Sequence, residues 1–169
     1  MPIKTLDEKM AYELGGIYDA EHQFLEAQQQ MIQQASDGTV KTLLQQHIQQ
    51  TEQQIRNLEQ VFQTLGQQPK REKCQAAAGL VSDGQKLLKE VSGNPALIDL
   101  AIAGAQAKVE HFEIACYRGL VTGAQQAGQQ QIVQLLQQNL QQEEQTAQRV
   151  EASTPQLVQQ ALSSNQRGA

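Results

Sequence analysis

Glu21, Glu113 and Glu143 each sit where a helical repeat of apolar residues would otherwise run unbroken. An ionised carboxylate in the dry centre of a helix bundle is costly unless a cation, a proton or a strong hydrogen-bond donor accompanies it. Glu110 stands one helical turn before Glu113, so the two can serve as paired ligands from one helix. Facing carboxylates at mid-height, two bare glutamates with two Glu-x-x-His pairs, are how bridged di-iron and di-manganese centres are built in helix bundles. Oxygen ligands with imidazole suit iron or manganese, and open coordination positions permit oxygen or peroxide chemistry. The set is incomplete in this chain. At the required spacing the second helix carries Thr51 and Gln54, and the last long helix carries Glu143 followed by Thr146, with no histidine anywhere on it.

The elements that must position these residues can be read from periodicity and end signals. Thr5 and Glu8 have capping-box spacing and open a first helix that runs to about Gln34. Ser36-Asp37-Gly38-Thr39 is a tight turn, and a second helix runs from about Val40 to Leu65, stopping at Gly66. The stretch from Gly66 to Asn94 is too long for a plain loop and natural for a crossover, with a short helix over Gly79 to Val91. Asn94-Pro95 caps a third long helix reaching about Thr122, and Gly123 and Gly128 bracket the next turn. A fourth long helix spans about Gln129 to Ala152, and Ser153-Thr154-Pro155 starts a short terminal helix ending near Leu162. Two hairpins joined by one long crossover predict an all-α, ferritin-like four-helix bundle plus that short C-terminal helix. Residues 1–163 form a single domain on this reading, and 164–169 a frayed tail.

Arcs drawn at about 100° per residue place Glu21, Glu113 and Glu143 centrally, Glu110 within its arc, and His47, Thr51 and Gln54 inside that of helix two. Counting from turn centres near 37–38 and 126 puts Glu21, Gln54, Glu110 and Glu143 about sixteen residues along, with Thr51 and Glu113 about thirteen. The same count offsets His47 by roughly 5–10 Å, toward Gln28. A core histidine bonded to Gln28 is the preferred reading of His47, and a metal ligand the alternative. Tyr18 and Tyr117 are core aromatics needing a hydroxyl partner, or neighbours of a metal centre.

Composition narrows the function classes. A net charge of -5 without a cluster of lysine or arginine on one face argues against nucleic acid as a partner. The apolar runs are too short to span a membrane, and the N-terminus is no secretory signal, so the cytoplasm is expected. Cys74 and Cys116 are too few for a disulfide framework and lack C-x-x-C spacing; Cys116 is expected in the core. Glutamine occurs 35 times, alternating with Leu, Ile and Val at helical spacing, and is read as a neutral solvated helix face.

As a set, several segments resemble the YciE/YciF-type ferritin-like family: Ile17-Tyr18-Asp19-Ala20-Glu21, His47 to Phe62, Lys73-Cys74 with Gly79-Leu80, Val109-Glu110-His111-Phe112-Glu113 with Tyr117, and Leu140 through Glu144. The similarity covers about residues 4–152. It implies a cytosolic, usually dimeric helical bundle associated with bacterial stress responses, some members carrying metal at the bundle centre. Carried over by position, Glu21, Glu110, Glu113 and Glu143 are candidate ligands with His47, and Gln54, Thr51, Tyr18 and Tyr117 surround them. Three readings stay open: an iron or manganese site, whole or partly eroded; a metal-free core of protonated, hydrogen-bonded carboxyls in a structural or interaction module; and one or more of the glutamates at a dimer interface or in solvent.

Overall fold

A computed structural model describes residues 2–167 of the chain. The reciprocal cap is present at its start: Thr5 Oγ1 accepts from the Glu8 amide and the Glu8 carboxylate accepts from the Thr5 amide, both at 3.1 Å. That cap opens α1, Leu6–Met31. Asp37 accepts the amides of Thr39 and Val40 and opens α2, Gly38–Thr64. Gly66 ends α2 with φ of 68°, a left-handed conformation that side chains disfavour.

The crossover then climbs the bundle. Its first segment lies along α1, where the Glu72 amide donates to the Gly15 carbonyl at 3.0 Å. A Cβ at Gly15 would come within 2.7 Å of Glu72 Cγ, so this close approach requires glycine. The segment continues as α3, Gln75–Glu90, which begins earlier than the expected Gly79 because Ala76, Ala77 and Ala78 are strong helix formers and Ala77 is buried. Asn94 and Pro95 open α4, Pro95–Gln126, as their order predicts. Gly123 does not bracket a turn: it lies inside α4, where its missing side chain makes room for Met10. Gly128, with φ of 69°, ends that helix alone.

The last helix, α5, runs as one element over Gln130–Arg167, so the expected break at Ser153-Thr154-Pro155 is absent. The Ser153 and Thr154 hydroxyls both donate to the Val150 carbonyl, and Leu157 and Ala161 beyond the proline are buried. Burial of that apolar face outweighs the hydrogen bond Pro155 cannot make. Gly168 and Ala169 of the expected tail lie outside the described residues.

α1 packs on α2 and α4, α5 packs on the same two helices, and α3 lies against α1 and α4. This is the ferritin-like arrangement. Two apolar clusters fill its ends: one around Ile17, Phe24, Leu58, Phe62, Tyr117 and Leu136, the other around Met31, Leu44, Leu88, Ile102, Val150 and Leu157. Between them the interior is polar.

Buried Asp99 ties the two hairpins together. It accepts from the Ser36 amide at 2.8 Å, the Asp37 amide at 3.0 Å and the Ser36 hydroxyl. Asp99→Ala leaves these donors without their acceptor and is expected to cost about 1–3 kcal/mol, measured by urea unfolding. A variant as stable as the parent would contradict this role.

Candidate metal centre

Every helix of the four-helix ring sends a polar side chain into the layer between the apolar clusters. Glu21 comes from α1, His47, Thr51 and Gln54 from α2, Glu110 and Glu113 from α4, and Glu143 and Asn139 from α5; none is more than 1% exposed. One ligand atom from each of His47, Glu110, Glu113 and Glu143 lies within 4.8 Å of all the others. Metal–ligand bonds of about 2.0–2.2 Å place neighbouring donors about 3 Å apart and opposite donors about 4.2 Å apart, so a slight contraction would close these four on one ion.

His47 is therefore part of the cluster and not displaced toward Gln28. Its Nδ1 lies 3.1 Å from Glu110 Oε1, and its Nε2 lies 4.0 Å from Glu143 Oε2. The depth count placed residues about sixteen positions from either turn at one height, which the unequal lengths of the helices do not allow. Asp99 instead fixes its part of α4 level with Asp37, and from that level His47 and Glu110 are both roughly three turns down their helices. Gln28 pairs with Thr51, whose hydroxyl lies 3.3 Å from its amide nitrogen.

Several groups hold the cluster from outside. Gln54 donates to Glu143 Oε1. Tyr117 donates its hydroxyl to Glu21 Oε1 and accepts from Asn139 at 3.0 Å. Asn139 also takes a 2.7 Å bond from Asn57. Gln106 approaches His47 Nδ1 at 3.4 Å, beside a cavity of about 20 Å³ that lies under Leu80 and Val81 of α3. Tyr18 is no neighbour of the cluster: its hydroxyl donates to Glu59 at 3.0 Å, since Tyr18 lies toward the α2 edge of α1. Thr146 turns to Gln50 at 2.9 Å. Cys116 is only half-buried, and burial raises its thiol to about 11.

Asn139, Asn57 and Gln106 escaped the sequence reading, although a signal existed. Asp99, Gln106, Glu110, Glu113 and Tyr117 recur at spacings of three, four and seven along α4, a polar seam with the period of a core stripe. Asn139 continues the same pattern four residues before Glu143.

Electrostatics set the chemistry of this layer. Neither oxygen of Glu110 or Glu113 has a hydrogen-bond donor, nor do Glu143 Oε2, Glu21 Oε2 and His47 Nε2. The 3.1 Å approach of His47 to Glu110 is an ion-pair distance without hydrogen-bond alignment. Carboxyls can satisfy one another only by sharing protons, Glu110 with Glu143 and Glu113 with Glu21. Burial, reinforced by the charge of Glu143, raises Glu21, Glu110 and Glu113 well above the ordinary carboxyl range. Burial also keeps His47 below its usual range, hence a neutral imidazole with a lone pair to offer. A divalent cation bound here would supply what the protons otherwise supply and would release them.

The sign of the pH effect follows. Without metal the folded state binds more protons than the unfolded chain above the ordinary carboxyl value of 4.5, so stability falls as pH rises. His47 acts in the opposite sense only below 6.5. In the presence of EDTA, Tm is expected to drop between about pH 6.5 and pH 8. Glu113→Gln is expected to lessen that drop in scanning calorimetry. A Tm that climbs over this range would contradict the burial of ionisable carboxyls.

Comparison with known proteins agrees with this architecture. Protein YciF of Escherichia coli (strain K12) is 31% identical over 147 residues, 86% of this chain and 88% of that protein. The crystal structure described as the E. coli stress protein YciF superposes with a TM-score of 0.87, at 28% identity, covering 93% of this chain and 99% of that one. YcfI of Rhodopseudomonas palustris superposes with a TM-score of 0.86 at 34% identity, covering 88% of this chain and 94% of the other. The model of a family described as a domain of unknown function (DUF892) matches residues 5–163, and the chain belongs to that family.

Proposed function

We propose that this chain is a YciF-like, stress-associated bundle protein that holds a divalent transition metal, iron or manganese, through His47, Glu110, Glu113 and Glu143. The observation that carries the reading is the convergence of orphaned donor atoms: five of the buried atoms lacking a hydrogen-bond partner are carboxylate oxygens of Glu110, Glu113 and Glu143, joined by His47 Nε2. An apolar interior would be cheaper to fold, and retained unpaired carboxylates match what hard cations need. The stress association rests on the likeness to YciF, described as a stress protein.

When bound, such an ion supplies a Lewis-acidic, redox-active centre. The chain's own contribution is to hold its ligands and keep bulk water away. His47 Nδ1 lies against Glu110 and its Nε2 lies toward Glu143, so the imidazole stands between two of the acidic groups. Gln54 fixes one oxygen of Glu143 and leaves the other free. The apolar clusters on both sides seal the layer along the bundle axis. No helix among the described residues is long and apolar enough to cross a membrane.

A ligand that binds only the folded state raises its melting temperature. Addition of Mn²⁺, or of Fe²⁺ under anaerobic conditions, to chelator-stripped protein is expected to stabilise it by about 2.7 kcal/mol when the free ion is 100-fold above Kd. The shift should vanish in Glu110→Gln/Glu113→Gln. Equal melting with and without either ion would favour the metal-free structural module.

A further inference from the structure

Ferritin-like carboxylate centres hold two bridged ions, and the metal-binding reading above, on which this inference rests, leaves the number open. From the placement of the donors we infer that the centre takes a single ion, and that Glu21 serves as a positioning carboxyl and not as a ligand. The four groups whose ligand atoms converge are His47, Glu110, Glu113 and Glu143; Glu21 is outside that convergence. One oxygen of Glu21 is taken by the Tyr117 hydroxyl, which Asn139 holds in turn.

A second ion would find few donors: Thr51 and Thr146 are engaged elsewhere, leaving Glu21 Oε2 and Gln54 Oε1 as the unpartnered atoms there. Thr51 and Gln54 occupy the places on α2 where a glutamate and a histidine would complete a pair. The Thr51 hydroxyl is engaged with Gln28, and the Gln54 side chain turns its amide nitrogen to Glu143. A carboxamide NH2 nitrogen has no lone pair for a metal, so Gln54 could offer only its carbonyl oxygen. Thr146 stands where the α5 histidine would be, and its hydroxyl donates to Gln50. One imidazole, that of His47, is within reach of the cluster. His47 itself enters from a position one turn nearer the start of α2 than Thr51, so the surviving ligands surround a point displaced along the axis from the bridged pair of a complete centre.

Glu21 retains a purpose in this arrangement. A side-chain contact links Glu21 to Glu113, while Tyr117 fixes Glu21 Oε1. The chain Asn57, Asn139, Tyr117, Glu21 thus orients Glu113 from behind. Loss of such an outer partner typically changes metal affinity by about 10- to 100-fold.

The test is an anaerobic titration of the chelator-stripped full chain with Mn²⁺, read by equilibrium dialysis and by electron paramagnetic resonance. One ion per chain is expected, with the six-line signal of an isolated Mn²⁺ and no exchange-coupled multiline signal at saturation. Glu21→Gln, which keeps an acceptor for Tyr117 and a donor for Glu113, is expected to preserve that stoichiometry with at most about a 100-fold weaker Kd. His47→Gln and Glu113→Gln, each checked for helicity by circular dichroism, should weaken binding by more than about 100-fold. Two ions per chain, a coupled signal, or loss of binding in Glu21→Gln overturns this inference and leaves the metal reading intact. No uptake by the parent protein overturns both.

Discussion

Unpaired carboxylates packed together in a dry layer are the constraint from which the rest of this structure follows. Two like charges about 4 Å apart repel by about 4 kcal/mol at an effective dielectric of 20. Full ionisation of Glu110, Glu113 and Glu143 would create three such pairs, a penalty comparable with the whole net stability of an ordinary domain, about 5–15 kcal/mol. The layer must carry protons or a cation. Stability has to come from elsewhere, and its sources are the two apolar clusters that flank the layer and the ties at the bundle's end through Asp99 and Asp37.

The polar layer is not symmetric, and its asymmetry gives it chemical meaning. On one side, Gln54, Asn139, Asn57 and Tyr117 form a connected network that satisfies Asn139 and Tyr117 and clamps one oxygen each of Glu21 and Glu143. On the other, His47, Glu110 and Glu113 keep open lone pairs. A core that had shed its chemistry could replace both sides with apolar residues at little cost or with a gain. Here only one side carries neutral hydrogen-bonding groups. That division matches the proposal of a single ion held on the open side.

Much of this was legible in the sequence. The four long helices, their caps at Thr5, Asn94 and Pro95, and the burial of Glu21, Glu110, Glu113 and Glu143 follow from periodicity and end signals that act over a few residues. Relative height was not legible, because it depends on how the second hairpin slides along the first, and Asp99 sets that through contacts far away in sequence. His47 was misplaced for this reason. The unbroken α5 is a second case: Pro155 is a strong local stop signal, and the burial of Leu157 and Ala161 overrides it. Tyr18 shows the limit of helical arcs. A residue near the edge of an arc can turn its hydroxyl outward, as Tyr18 does to Glu59, whereas Tyr117, entirely buried, has to find Glu21 inside.

The most direct test is anomalous diffraction from crystals of the full chain soaked in Mn²⁺. The account predicts one anomalous peak per chain at the mid-height of the bundle, within bonding distance of His47 Nε2 and of oxygens from Glu110, Glu113 and Glu143. A bundle centre without a peak, its carboxyls hydrogen-bonded to one another at saturating metal, would contradict it.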